Sequence, residues 1–318
     1  MLYDSHGGYE TVSKQLLLLR ERKKVIVMAL FELKNSEISI QINSIGAELK
    51  SLKKVSTDQE YMWNADPEYW KRTAPVLFPI VGSLNNGKYR YDGKEYSMSQ
   101  HGFARDMEFE LTKQTEDELA FELKSTEDTF AKYPFRFGLE AGYRIDGSNL
   151  IVSWKVRNCD NKEMYFSIGG HPAFMCPIKD GDKQTDYKIL FDEKDTIIAS
   201  VIGNNGTLSS RKKAYALNDG YMNITADLFD EDALIIEDHQ AQKVSLCNQE
   251  GKPYLTVSFD APLFGLWSPA KKNAPFVCIE PWYGRCDKDI FKGDLSQREW
   301  GNRLAPSEEF CAEYTISI

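Results

Sequence analysis

Three short segments of the chain concentrate side chains that can move protons or hold a polar ligand. They are Ser99-Gln100-His101-Gly102-Phe103-Ala104-Arg105-Asp106, Ser167-Ile168-Gly169-Gly170-His171-Pro172-Ala173-Phe174 and Phe276-Val277-Cys278-Ile279-Glu280-Pro281-Trp282-Tyr283-Gly284. Imidazole titrates at about 6.5 when unperturbed, so His101 and His171 are candidate acids or bases near neutral pH. Each has a glycine beside it, where backbone can approach a ligand closely. A single such histidine is more often a hydrogen-bonded structural residue; the shared glycine- and aromatic-rich setting argues for chemistry. His6, and His239 in the acidic, turn-like Glu237-Asp238-His239-Gln240, read as surface residues. Glu280 follows an apolar run and precedes Pro281, so it reads as a carboxylate at the end of a buried strand whose pairing the proline stops. A carboxylate there is costly unless it is paired or functional, and a salt bridge to Arg285 is the structural alternative.

Such groups need a rigid frame, and the sequence from Phe31 onward predicts one. Glu37-Ile38-Ser39-Ile40-Gln41-Ile42 places three isoleucines on one face, the period-two pattern of a half-buried strand. Lys88-Tyr-Arg-Tyr91 and Lys94-Glu-Tyr-Ser-Met98 flank Asp92-Gly93, with Asn86-Gly87 just upstream. Both pairs tolerate the positive φ of tight turns, which predicts two successive hairpins. The same alternation recurs through residues 117–123, 150–156, 243–247, 254–259 and 313–318, with Asp146-Gly147 and Glu250-Gly251 as turns. Helical candidates are short: residues 66–72, with Pro67 in the first turn, and 125–133, which open on a Ser/Thr cap and end before Pro134. Strands far outnumber helices, and nothing alternates in the manner of a parallel sheet. The expected fold is all-β, a large antiparallel β-sandwich with a few short helices.

The 318 residues, 42% hydrophobic, can bury a large core, and all-β units commonly exceed roughly 200 residues as one domain. Residues 28–318 are therefore expected to form one unit. Residues 1–27 carry no strand pattern and no motif; they read as an appendage, with Met28 as an alternative start. The net charge of -9, with no long Lys/Arg cluster, argues against a nucleic-acid partner. The six cysteines are dispersed, without zinc-site spacing or disulfide-scaffold density, so reduced thiols, no metal and a cytoplasmic location are expected. No apolar run approaches the roughly 20 residues of a membrane span. The stretch from Leu16 to Leu19, flanked by Lys14 and Arg20, is too short for a signal core.

Four motifs in order, Pro75-Val-Leu-Phe-Pro-Ile-Val-Gly82, His101-Gly-Phe-Ala-Arg105-Asp106, Gly170-His171-Pro-Ala-Phe174 and Cys278-Ile-Glu280-Pro-Trp-Tyr-Gly284, resemble those of the aldose 1-epimerase (galactose mutarotase) family, particularly its LacX-like branch. The resemblance runs from about Phe31 to the C-terminus. It implies a galactose mutarotase-like supersandwich with the sugar in an open cleft. It maps the family's base onto Glu280, its acid onto His171, and a sugar-binding, polarising histidine onto His101. Two departures stand out: Ser83 occupies a position where relatives tend to have arginine, and the family's aspartate has four candidates, Asp227, Asp230, Asp232 and Asp238.

Interconverting α and β anomers requires the C1–O5 bond to break, rotation about C1–C2, and reclosure on the other face. A base takes the C1 hydroxyl proton while an acid protonates O5, and the two exchange roles on reclosure. No cofactor or metal enters this scheme, and each positioned group contributes on the order of 10²–10⁴ in rate. Phe174, Trp267 and Trp282 are candidates to line the apolar face of the ring, with core packing as the alternative for each. Arg105 can bind a hydroxyl or a phosphate, with Asp106 as a structural partner; Arg72 is the second basic candidate. The expected partner is therefore a small aldohexose or its phosphate, handled by a monomer or homodimer. A hexose-6-phosphate 1-epimerase would need those arginines at the cleft. A carbohydrate-binding or sensing protein would need only the aromatics, and a glycoside hydrolase would need a second suitably placed carboxylate.

Overall fold

The computed structural model describes residues 29–203 and 205–318. The expectations for residues 1–27 and His6 lie outside them. Two large antiparallel sheets dominate. One has nine strands and the other eight, with a four-stranded sheet and two two-stranded pairs at the periphery. The nine-stranded sheet is centred on Phe137–Asp146 and Asn149–Asn158, joined by the predicted Asp146-Gly147 turn, and on Glu309–Ser317, which pairs with the second of them. The eight-stranded sheet is centred on Leu263–Trp267 and Phe276–Tyr283.

Alternation decides which side chains enter the core. Ile38, Ile40 and Ile42 are fully buried, as period two requires of one strand face. Trp154, Phe121 and Tyr143 from the nine-stranded sheet share one apolar cluster with Val277 and Ile279 of the eight-stranded sheet. The opposite face of Phe276–Tyr283 carries Phe276, Cys278, Glu280 and Trp282, which belong to none of that core; the three apolar ones sit in two smaller clusters.

Three local expectations are corrected. Residues 66–72 form a single turn in which the Tyr69 and Trp70 N–H groups both donate to the Asp66 carbonyl, because the Thr73–Pro75 stretch is drawn off into sheet contacts before a second turn can close. Asn86-Gly87 closes a 3₁₀ turn, Asn85–Gly87, with Asn86 at φ 56°, leading into one hairpin (Lys88–Tyr91 with Lys94–Ser97) rather than making a second. Glu280 is mid-strand: Phe276–Tyr283 pairs through Pro281, which faces Phe264. The Ile279 N–H donates to Pro172 O, so Pro281, two residues on, turns its missing donor toward the same side. There the neighbouring chain is interrupted between Ile168–Gly170 and Ala173–Met175, and no ladder bond is lost. The expected helix at 125–133 is present as Glu127–Lys132, capped by Thr126, whose hydroxyl accepts from the Thr129 N–H.

Candidate active site

Glu280 and Trp282, on the outward face of Phe276–Tyr283, line the floor of a cavity of ≈ 290 Å³, just under the roughly 300 Å³ at which ligand pockets begin. Glu280 is on this floor, and His171, Trp70, His101 and Arg105 surround it.

His101 is held by the segment that precedes it. Its backbone is left-handed (φ 65°), its N–H donates to Gly82 O at 2.9 Å, and its Nδ1 accepts from the Gly82 N–H at 3.1 Å. Gly102 must be glycine: a Cβ there would lie 2.2 Å from Phe78 O, and φ is +71°. An accepting Nδ1 leaves the proton of the neutral ring on Nε2. Burial first, then His171, Arg105 and Arg72, keeps His101 well below its ordinary pKa. The residue is therefore a fixed neutral hydrogen-bond donor.

His171 emerges where Ile168–Gly170 breaks before Pro172. Its Nε2 lies 3.3 Å from Glu280 Oε2. Glu280 is 1% exposed, and neither of its oxygens, nor His171 Nδ1, has a hydrogen-bond partner among the described residues. Burial pushes the Glu280 carboxyl well above the usual range, Asp232 adds to this, and the Trp282 indole opposes it. Burial also takes His171 down to about 3, with Arg105 and Arg72 acting in the same direction. The dry site thus favours the uncharged forms, a carboxylic acid beside a neutral imidazole, and the pair holds one exchangeable proton. Arg285, the structural alternative for Glu280, is bound elsewhere, to Glu237 at 2.7 Å and to Glu299.

The walls are aromatic. Trp70 stacks on His171 with centroids 4.7 Å apart, and Trp267 meets it edge-on at 5.4 Å. Trp282 also lines the cavity, pressed against Gly265, where a Cβ would come within 2.5 Å of the indole. Arg105 reaches the cavity and donates to Gln100 O at 2.7 Å, while its buried Nε lies 3.9 Å from Asp106 Oδ2 and makes no hydrogen bond among the described residues. Arg72 does not line the cavity; it is turned onto Asp106 at 2.8 Å. Phe174 does not reach it either. As the neighbour of Ala173 on an alternating strand it points into the main core, fully buried. Of the four aspartates, Asp232 lines the cavity, on a turn at φ 75°. Ser83 is absent from the lining, where Gly82 stands. Sequence reasoning had no signal for Trp70 or Cys286, each brought in by a loop whose path only the fold defines, and it touched Gln100 only as a member of the His101 segment.

The sequence profile described as aldose 1-epimerase matches residues 29–294. The chain belongs to the aldose 1-epimerase family. Among curated members it is 34% identical over 297 residues to the plasmid and chromosomal LacX proteins of Lactococcus lactis subsp. lactis, covering 90% of this chain and 98% of each relative. Among solved structures it is similar to a galactose mutarotase related enzyme from Lactobacillus acidophilus (37% identity, TM-score 0.86, 91% of this chain and 97% of the other). It is also similar to a galactose mutarotase-like protein from Lactobacillus casei ATCC 334 (28%, TM-score 0.84, 91% and 99%). The two stacked sheets are thus the galactose mutarotase-like sandwich. This epimerase-family chain carries Glu280 on the outward face of one sheet, with His101 and His171 brought to it from the connections. Among the described residues no helix is long and apolar enough to cross a membrane.

Proposed function

We propose that the chain is an aldose 1-epimerase that opens and recloses a hexopyranose by moving one proton through the Glu280–His171 pair. The observation that carries this reading is the 3.3 Å contact between those side chains on the floor of a small cavity, with the carboxylate otherwise unpartnered among the described residues. O1 and O5 are both bonded to C1, so adjacent carboxyl and imidazole groups reach both. In one direction Glu280 accepts the C1 hydroxyl proton while His171 protonates O5; reclosure exchanges the roles. The neutral pair that burial favours does the same work in the opposite order, carboxylic acid to O5 and O1 to imidazole. His101 Nε2–H supplies a fixed donor to a ring or hydroxyl oxygen. Trp70 and Trp267 offer apolar faces to the ring, and Asp232 a hydroxyl acceptor.

A phosphorylated hexose is the second reading, favoured by Arg105. Its guanidinium is held to about 10 by burial and by Arg72, and its buried Nε makes no hydrogen bond among the described residues, with Asp106 no nearer than 3.9 Å. Anomer exchange of freshly dissolved α-glucose, α-galactose and their 6-phosphates, followed by polarimetry or NMR, tests both readings. Acceleration of none would favour a sugar-binding protein without turnover. If phosphate is bound, Arg105→Ala lowers turnover of the phosphates far more than of the free sugars, because a dianion gains more from a guanidinium than a hydroxyl does. Equal losses would place Arg105 on a neutral hydroxyl.

A further inference from the structure

One thiol beside the acid–base pair has no part in the epimerase scheme. Cys278 and Glu280 stand on the same face of Phe276–Tyr283, two residues apart, and Cys278 is fully buried. The ligand atoms of His171, Cys278 and Glu280 all lie within 4.8 Å of one another. Nitrogen, sulfur and carboxylate oxygen are the ligand types of a zinc site, and three protein ligands with one open position is the arrangement of a reactive one. Two of the three candidate ligands, His171 and Glu280, line the cavity. Ligand atoms at roughly 2.0–2.3 Å from a tetrahedral zinc lie roughly 3.3–3.7 Å from each other. The His171–Glu280 separation of 3.3 Å already meets that spacing, and the sulfur needs a shift of about 1 Å to join it. Both Glu280 oxygens are buried without a hydrogen-bond partner among the described residues, so the lone pairs a metal would use are free.

We propose that His171, Cys278 and Glu280 form a binding site for a zinc-type divalent cation, and that the bound cation switches the epimerase off by occupying the lone pairs of its acid–base pair. The inference rests on the proposed function for its consequence, and on the ligand cluster alone for the binding. A dication with one thiolate and one carboxylate is electrically neutral, which suits a site lined by Trp70 and Trp267. On coordination the thiol proton leaves to solvent, as does that of the carboxyl where it is protonated. A metal held in this way leaves no base for the C1 hydroxyl and no acid for O5.

The test uses the full chain freed of metal with a chelator. Titration with Co²⁺ is expected to raise a thiolate-to-cobalt absorbance that saturates at one equivalent, and both Cys278→Ala and Cys278→Ser should lose it. Near-UV circular dichroism verifies that each variant is folded. Buffered Zn²⁺ should suppress anomer exchange by the unaltered protein. In each Cys278 variant, measured against its own metal-free rate, suppression should need at least about tenfold more Zn²⁺, the scale on which zinc sites respond to altered ligation. Absence of the thiolate band, or equal sensitivity of the variants to Zn²⁺, overturns the site; activation by Zn²⁺ overturns its inhibitory role. The cobalt band is read without turnover, so a preparation that binds Co²⁺ but epimerises no sugar sinks the proposed function and leaves the site standing.

Discussion

At the scale of single residues, Glu280 is where the chain accepts an unfavourable arrangement: a carboxyl group 1% exposed, 3.3 Å from an imidazole and without a hydrogen bond among the described residues. Glu280→Gln keeps the shape and removes the proton-accepting oxygen. Epimerisation is expected to fall at least about a hundredfold, the scale of a lost general base, with the melting temperature nearly unchanged; His171→Asn should match it. If Glu280→Gln unfolds the protein while the folded remainder turns over normally, the carboxylate is structural. Phe174 belongs to the other class. Being fully buried in the main core, its truncation to alanine should cost about 3–5 kcal/mol in chemical denaturation and leave KM for the sugar unchanged. A rise in KM without a loss of stability would return Phe174 to the site. The sequence marked His101, His171 and Glu280 because titratable groups next to glycine or within an apolar run are locally anomalous. Trp70 sits in a stretch that reads as a short helix and Asp232 among four equivalent aspartates, and only the folded chain sets them apart.

At the scale of elements, the strand Phe276–Tyr283 is continued by a segment tied down through ion pairs. Arg285 is 3% exposed and donates to Glu237, whose other oxygen accepts from Ser200 and which also takes the Trp300 indole N–H. Burial raises the Glu237 carboxyl, but Ser200, Arg285 and Trp300 outweigh it and hold its pKa below the ordinary 4.5. A carboxyl whose folded pKa is depressed stabilises the fold in full above its unfolded pKa and loses that contribution as pH falls through the folded value. Melting temperatures of the unaltered protein and of Glu237→Gln, taken from pH 7 downward, should therefore differ most at neutral pH and converge as pH falls below about 4. A difference that stays constant with pH would show that the ion pair adds no stability. Strand positions were legible from period two. The Pro281 reading failed because the break that lets a proline sit mid-strand lies in another segment, between Gly170 and Ala173, and no local pattern reports it.

At the scale of the whole molecule, the family match begins at residue 29, and among the described residues the strands of the two large sheets start at Val76. A chain starting at Met28 is therefore expected to be expressed in soluble form with the anomer-exchange rate of the full chain; loss of soluble protein on truncation would show that the first 27 residues pack against the sandwich. The same division into two faces sets how the gene can change. Because Glu280 and Trp282 line the cavity from the face that also carries Phe276 and Cys278, while Val277 and Ile279 enter the core, a single-codon deletion inside this strand would present isoleucine to the sugar and glutamate to the core. The same deletion in the connecting residues 268–275 shortens a link between two strands whose pairing is unaffected. Reading-frame-preserving indels in this lineage should therefore accumulate in the connectors and be purged from the eight codons of the floor strand, whatever sugar the protein comes to use.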